Sequence, residues 1–450
     1  MQKFMKHSVI YFSAVIIFSC LSLFPAFGIE NISSLDEFKA NIGKSDVLFL
    51  DLRSEAAYQG WKIDGAVRGG HVKGASDFPI SWLKLADDSR LAEIVARKGD
   101  LKGKTIILYG SPNDEEIARL EKALTNAGAK KVLLFSVPAE VWTADELIPM
   151  ESYPRYELYV YPEWLNSLMS GGKVDNYDGR PFKVFEASWG EEKTSYANGH
   201  IPGTIHINTD EFEEGPIWNR LSDSQLKKVL EANGITKDTL VVLYSTTQNM
   251  AAARIAWIMM YCGVQDVRLL DGGFNAWKRA GLPVTTESTP KEPVKDFGAE
   301  VPLNRELILD LPEAKKLLEN PNGRLVSIRT WEEQIGEVSG YAGWDLKGRI
   351  SGDVWGHCGH EGSAGVSDFE NIDGTMRNGD EITALWNEWG IRRGNEIATY
   401  CGTGWRAAEI SFDFYVLGWP TIWIYDGGWY EWSSDPANPF LTGDQKPRFK

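Results

Sequence analysis

Short apolar runs bounded by glycine, proline or charged residues alternate along this chain with longer stretches whose apolar positions fall at helical spacing. Three of the runs end on tyrosine: Ile106-Ile107-Leu108-Tyr109, Val241-Val242-Leu243-Tyr244 and Ile397-Ala398-Thr399-Tyr400. Each is followed by a second block: Ser136-Val137-Pro138-Ala139-Glu140-Val141-Trp142, Asp271-Gly272-Gly273-Phe274-Asn275-Ala276-Trp277 and Asp426-Gly427-Gly428-Trp429-Tyr430-Glu431-Trp432. The interval from the residue after the tyrosine runs from 110 to 136, from 245 to 271 and from 401 to 426, a regularity that marks an internal repeat. Upstream, a glycine block recurs as Gly70-His71-Val72-Lys73-Gly74-Ala75, Gly199-His200-Ile201-Pro202-Gly203-Thr204 and Gly348-Arg349-Ile350-Ser351-Gly352-Asp353. Before these blocks lie strand-like runs at 47–52, 182–187 and 325–328, the first and third followed by Arg53 and Arg329. Each unit therefore reads as strand, turn, short strand, helix, strand, loop, helix, strand. That alternation predicts an α/β fold in which each unit is a parallel β-sheet with helices on both faces. Working loops in such sheets lie at the carboxyl ends of the strands.

At 450 residues the chain is too long for one core, and ordinary domain sizes also give three units. We place them at 29–150, 155–288 and 303–440, with linkers at 149–154 and across 286–302, where Pro290, Pro293 and Gly298 break any periodicity. Residues 1–28 read as a secretory signal: Lys3 and Lys6 form a positive start, 9–24 are largely apolar, and Ala26-Phe27-Gly28 offers small residues for cleavage. Export to the periplasm or medium, with no membrane span left after cleavage, is the expectation. Lipid attachment at Cys20 is an alternative, against which stand the bulky Phe18 and the apolar tail 21–27 that such a cut would leave; an uncleaved anchor would be short of a normal span. Loss of Lys3 and Lys6 takes the net charge from −16 to −18, which disfavours nucleic acid and anionic lipid as partners. Cys262, Cys358 and Cys401 then remain, too few and too scattered for a disulfide framework, with an odd thiol left over.

That thiol sits in the most informative stretch, Ile397-Ala398-Thr399-Tyr400-Cys401-Gly402-Thr403-Gly404-Trp405-Arg406-Ala407-Ala408-Glu409. A strand runs into a cysteine, two glycines let the backbone curl, and a helix opens at about Arg406. Inward amides and a helix N-terminus favour an anion, so a sulfur placed there is expected to ionise readily. The plainer reading of Cys401 is a small buried side chain in a tight turn. The spacing Cys-x-x-Gly-x-Arg, with the glycine block and the Asp-Gly-Gly-aromatic-x-x-Trp block, resembles the rhodanese family of sulfurtransferases, and the resemblance covers three tandem units. It implies that Cys401 carries a persulfide, that the amides of Gly402, Thr403, Gly404, Trp405 and Arg406 stabilise it while the Arg406 side chain stabilises charge on donor and leaving group, with Arg349 a second anion contact or a brace of the fold, and that no cofactor or metal is required. The related phosphatases use one more residue between cysteine and arginine.

Aligned on the tyrosines, Gly110, Ser245 and Cys401 occupy the nucleophile position. Unit 1 follows with Ser111-Pro112-Asn113-Asp114-Glu115-Glu116, where proline removes a donor and three acids oppose an anion; unit 2 has Gln248 for the second glycine and Met250 for the arginine. Only unit 3 reads as catalytic, the other two as scaffold, docking surface or wall of the third site, and unit 2 is expected to have lost the anion-holding loop. Unit 3 departs from the family in having Ser327 where unit 1 has Asp51, leaving Arg329 to be braced by Glu332 or Glu333, and in a long insertion over 331–374. Within it, His357-Cys358-Gly359-His360-Glu361 admits three readings: a polar loop, a metal site, or a second thiol able to resolve the persulfide. Arg392-Arg393 is expected on a solvated face at the far end of the sheet from Cys401. The function expected is sulfane-sulfur transfer from thiosulfate or a polysulfide to cyanide or a thiol. The rivals are a persulfide carrier serving an acceptor protein in the same compartment, and a phosphatase or arsenate reductase on the same loop design.

Overall fold

The computed structural model describes residues 29–110 and 116–447. The signal reading of 1–28, the alternative at Cys20 and the loop Ser111-Pro112-Asn113-Asp114-Glu115 lie outside the described residues.

Each unit is built on five parallel strands in the same order. In unit 1 they are Glu30–Ile32, Val47–Asp51, Ser76–Asp77, Thr105–Tyr109 and Lys131–Phe135; in unit 2, Tyr159–Val160, Phe182–Ser188, Ile205–Asn208, Leu240–Tyr244 and Asp266–Leu270. Unit 3 uses Ile308–Leu309, Gly323–Ser327, Val354–Trp355, Glu396–Tyr400 and Ile422–Tyr425. Across each sheet the order is first, fifth, fourth, second, third. The fourth strand is therefore central and paired on both sides, in unit 3 with Ser327 opposite Tyr400 and Trp423 opposite Ala398. Burial on both faces explains why these strands read as near-continuous apolar runs. The tyrosines that end them are fixed by their hydroxyls: Tyr400 donates to Asp353 Oδ2 at 2.6 Å, and Val72 N donates to Tyr109 Oη at 3.1 Å. The residue after the tyrosine thus emerges at the centre of the carboxyl edge, where neighbouring loops diverge.

The units are not independent beads. Helix Asn249–Cys262 of unit 2 is buried from Met250 through Cys262, and helix Trp405–Val416 of unit 3 from Arg406 through Phe414. Helices buried on every side belong inside a larger core, and apolar residues of both share one cluster that also takes in the two sheets. Unit 1 is held by both kinds of contact: Trp61 is buried in the apolar cluster of unit 2, Lys98 bridges its own Asp77 at 2.7 Å and Glu381 of unit 3 at 2.8 Å, and Trp82 donates to Asp373 at 2.9 Å. The linker around 286–302 lies along unit 2, with Phe297 fully buried and its carbonyl accepting from Lys237 N at 2.9 Å. Among the described residues no helix is long and apolar enough to cross a membrane.

Several carboxyls are caught in these interfaces. Burial pushes Glu213, Asp271 and Glu370 each up to about 7, in spite of the Arg254 charge beside Glu213. Such groups hold a proton in the folded chain that the unfolded chain releases near 4 to 5, so the stability they contribute is present at low pH and lost as pH rises towards 7. The melting temperature is expected to fall between pH 5 and 7, and Glu370→Gln to flatten that slope; a melting temperature that rises over this range contradicts the assignment.

Candidate active site

Cys401 is 2 % exposed, at the carboxyl end of the central strand Glu396–Tyr400. Its Sγ accepts a hydrogen bond from Gly404 N at 3.2 Å. Gly404 has φ +96°, which lets the chain turn that amide back towards the sulfur before helix Trp405–Val416 begins. Gly402 is needed for another reason: a Cβ there would stand 2.2 Å from the ring of Tyr341. Behind the loop, Trp429 N donates to Cys401 O at 2.7 Å and Tyr430 N to Gly402 O at 3.2 Å, so the Asp-Gly-Gly block clamps the cysteine from the adjacent strand. Thr403 lies in the same loop, half-buried.

Arg406 is buried and faces the insertion. Its guanidinium makes two hydrogen bonds to Glu333, at 2.8 and 3.0 Å, and further ones to Gly362 O at 2.9 Å and to the Tyr341 hydroxyl, with Nη1 3.5 Å from Cys358 Sγ. Burial works against the Glu333 charge, but Arg406 more than offsets it and holds the carboxyl below its ordinary range. Arg406, expected to stabilise charge on donor and leaving group, is held by Glu333 and organises the wall beside the cysteine loop. Glu333 also lies 3.7 Å from Arg329 Nε and so takes the place of the acid that Ser327 lacks. In unit 1 the corresponding pair, Arg53 and Asp51, is 2.6 Å apart.

Arg349 lies elsewhere. Arg349 donates to the carbonyls of Gln334 at 3.3 Å, Gly443 at 2.5 Å and Asp444 at 3.3 Å, which makes it a brace of the chain terminus and not an anion contact. Trp405, whose amide was the expected contact, opens helix Trp405–Val416, and its indole donates from Nε1 to Glu213 of unit 2 at 2.6 Å. Glu213 in turn accepts from Arg254 Nε at 3.0 Å, and Arg254 Nη2 reaches Asp426 at 2.7 Å. Arg254 Nη1 is buried without a partner and lies 2.8 Å from the position a Gly404 side chain would occupy. Unit 2 thus supports the cysteine loop from behind. Arg392 and Arg393 are exposed, capping the carbonyls of Asn387 and Gly418 away from the site.

The His357–Glu361 segment is tied down singly. His357 lies against Trp355, with 4.0 Å between ring centroids, and 3.7 Å from Asp368; His360 is exposed. Cys358 is buried, its Sγ 3.3 Å from Gly365 O, and burial pushes the thiol up to about 12. Cys262, Cys358 and Cys401 are all free thiols. Aromatic rings close the pocket: Tyr341 meets Tyr430 edge-on at 5.2 Å, Trp344 stacks on Tyr430 at 4.4 Å, and burial pushes the Tyr341 hydroxyl well above 10.

Unit 2 keeps more of the loop than its sequence suggests. Ser245 Oγ accepts from Thr247 N at 3.2 Å and Gln248 N at 3.1 Å, so the amide cradle survives loss of the thiol, of the second glycine and of the arginine. The charges around it are of the wrong sign for an anion: Glu186 accepts from Thr246 N at 3.1 Å, and Glu370 and Glu409 face the same cavity. Ser245→Cys in a Cys401→Ser background is therefore expected to gain no sulfur from thiosulfate by intact mass. A persulfide on the new cysteine would show that the cradle alone suffices.

A single buried thiol at the carboxyl end of a central parallel strand, held by the turn into the next helix, defines a thiol-based transfer protein of the α/β class. Residues 34–145, 161–280 and 310–435 each match the model of the rhodanese-like domain, and the chain belongs to that family, whose activity is sulfur transfer. It is 41% identical over 415 residues, 92% of each chain, to the thiosulfate sulfurtransferase YnjE of Escherichia coli. It is 30% identical over 299 residues to the sulfur carrier protein TtuD of Thermus thermophilus, covering 65% of this chain and 99% of that one. Among solved structures, the anaerobic ergothioneine biosynthesis enzyme from Chlorobium limicola in complex with trimethyl histidine superposes with a TM-score of 0.86 at 38% identity, covering 93% of this chain and all of that one. A complex of the same protein, EanB, holds ergothioneine covalently linked to a cysteine persulfide, with a TM-score of 0.87.

Proposed function

We propose that the protein is an exported sulfurtransferase that moves sulfane sulfur from thiosulfate or a polysulfide to a thiophilic acceptor through a persulfide on Cys401. The observation that carries this reading is the single amide-bound sulfur of Cys401 at the sheet edge, in the one unit that retains a thiol at that position. The Cys401 thiolate attacks the outer sulfur of the donor; a cysteine S–S bond forms, the donor S–S bond breaks, and sulfite or a shortened polysulfide leaves with the electron pair. Gly404 N stays on the cysteine sulfur, and the ion pair of Arg406 with Glu333 keeps Tyr341 and the 362 loop in place. Cyanide or a thiol then attacks the outer sulfur, takes it, and restores the thiolate. Export rests on the reading of 1–28, which places donor and acceptor in the periplasm or medium.

A second acceptor class is favoured by the pocket itself. Tyr341 packs against Gly402, Tyr341 and Tyr430 lie near the Cys401 sulfur, Trp344 stacks on Tyr430, and the similar Chlorobium limicola enzyme is described with trimethyl histidine as its natural substrate. Aromatic faces of this kind suit a quaternary ammonium group, such as trimethyl histidine carries, better than a bare cyanide ion.

The test is intact-mass measurement after incubation with thiosulfate or tetrasulfide, followed by addition of cyanide, a thiol or trimethyl histidine. A gain of one sulfur, about 32 Da, and its loss on adding an acceptor supports turnover by this cycle. Loading without acceptor-driven release, in any of the three, indicates a carrier that hands sulfur only to a partner protein. No gain from either donor sinks the reading.

A further inference from the structure

The loop of unit 2 that corresponds to the Cys401 loop opens onto a cavity of about 360 Å³, lined on one side by residues 245–250 and on the other by Glu370 and Glu409 of unit 3. A water-sized recess of about 20 Å³ adjoins it, walled by Asp271, Asp413 and the rings of Tyr159 and Tyr244. Glu409 is 8 % exposed, and among the described residues its carboxylate has no hydrogen bond and no ion pair. Glu370, half-buried, has none either. Asp413 accepts from the Tyr159 hydroxyl at 2.6 Å, and Asp271 from Gln59 Nε2 at 3.0 Å and Met376 N at 2.9 Å; all three donors are neutral. The cation at the rim, Arg279, is turned to the carbonyl of Asp373.

Four carboxyls gathered without a bonded cation hold their protons, because burial disfavours the charged form, and a cation seated among them would draw the acids it meets back to the charged form. Glu409, nine-tenths buried and turned to the cavity without a partner, leaves its carboxyl open to a hydrogen-bond donor that enters there. No three metal-ligating side chains converge among the described residues, so the spacing does not suit a metal ion. It suits an N–H cation on a short carbon frame: the rim adds the side-chain amides of Gln248, Asn249 and Asn275, which accept hydrogen bonds as the carboxylates do.

We propose that this vacated nucleophile pocket of unit 2 binds a small organic cation carrying a primary ammonium group, held between Glu409 and Glu370. The duplicated loop has thereby exchanged an anion for a cation: the arginine at position 406 in unit 3 is Met250 in unit 2, and the acids are supplied across the interface. The inference stands apart from the reaction assigned to Cys401.

Calorimetric titration of the purified full chain with putrescine tests it, with tetramethylammonium as a cation that lacks N–H donors. Saturable one-to-one binding of putrescine is expected, weakened about tenfold or more in Glu409→Gln, the effect of one charge-assisted hydrogen bond. Because Glu409 has no partner to lose, that variant keeps its fold, which thermal unfolding checks; Glu370→Gln is expected to weaken binding in the same direction. Equal affinity for tetramethylammonium, an affinity unchanged in both variants, or no heat up to about 10 mM putrescine would overturn the proposal.

Discussion

Cys401→Ser protein is expected to gain no mass from thiosulfate or tetrasulfide and to lose sulfur transfer by about 10³-fold or more, since a seryl oxygen forms no stable bond to sulfane sulfur under conditions where a thiolate does. The substitution is nearly isosteric in a site that is 2 % exposed, and Gly404 N keeps an oxygen to donate to, so the fold should survive. Loss of activity can then be assigned to the nucleophile. The control is Cys358→Ser: burial keeps that thiol protonated, and its nearest donor, Arg406 Nη1 at 3.5 Å, has Glu333 to hold it, so sulfur loading should persist. Transfer that survives in Cys401→Ser and vanishes in Cys358→Ser would place the chemistry on the other thiol.

Arg254→Met is expected to be the most damaging change outside the reacting loop. Arg254 is fully buried between Glu213 at 3.0 Å and Asp426 at 2.7 Å, and removing it leaves two carboxylates facing each other in the interface. Breaking a buried pair of this kind costs about 3–5 kcal/mol. Burial already pushes Glu213 up to about 7 with the guanidinium present, so that acid will take up a proton; Asp426 keeps Arg220 at 2.9 Å and cannot be relieved in the same way. The effect should reach Cys401, because Trp405 hangs on Glu213 and Gly404 rests against Arg254. Glu213→Gln preserves an acceptor for Trp405 and should be much milder. Thermal unfolding and the rate of sulfur loading, measured together, decide it: a variant with wild-type melting temperature and loading would show that the contact from unit 2 is idle.

The repeat, the parallel sheet and the position of Cys401 were legible because they rest on local pattern. An apolar run ending in tyrosine fixes a strand, and the constant interval to the Asp-Gly-Gly block fixes its neighbour. What surrounds the sulfur was less legible, since it comes from far along the chain. Glu213 lies 192 residues from the tryptophan it holds. Glu333 was one of two acids expected to brace Arg329, and its other duties come from the fold: it closes a capping box with Thr330, whose N donates to it at 2.8 Å, while its carboxylate also takes Arg406. Arg349 looked like an anion contact because it sits beside the glycine block, yet its short strand pairs with Phe440–Leu441, and that pairing turns the guanidinium to terminal carbonyls. In unit 2 the side chains suggested that the cradle was gone, whereas a cradle is made of backbone amides and the following helix keeps them in place.

Helix Asn249–Cys262 has a consequence for how such a chain can change over time. Tandem copies that fold separately can be lost, shuffled or replaced one by one. Here the middle copy has shed its thiol and its loop arginine, yet the flank of its helix is the floor of its neighbour's core, and Arg254 on that helix props the surviving loop. The middle unit can do without the chemistry of the loop, and the chain cannot do without its body. The array is inherited whole, and a gene fragment encoding the third unit alone would inherit a nucleophile without its support.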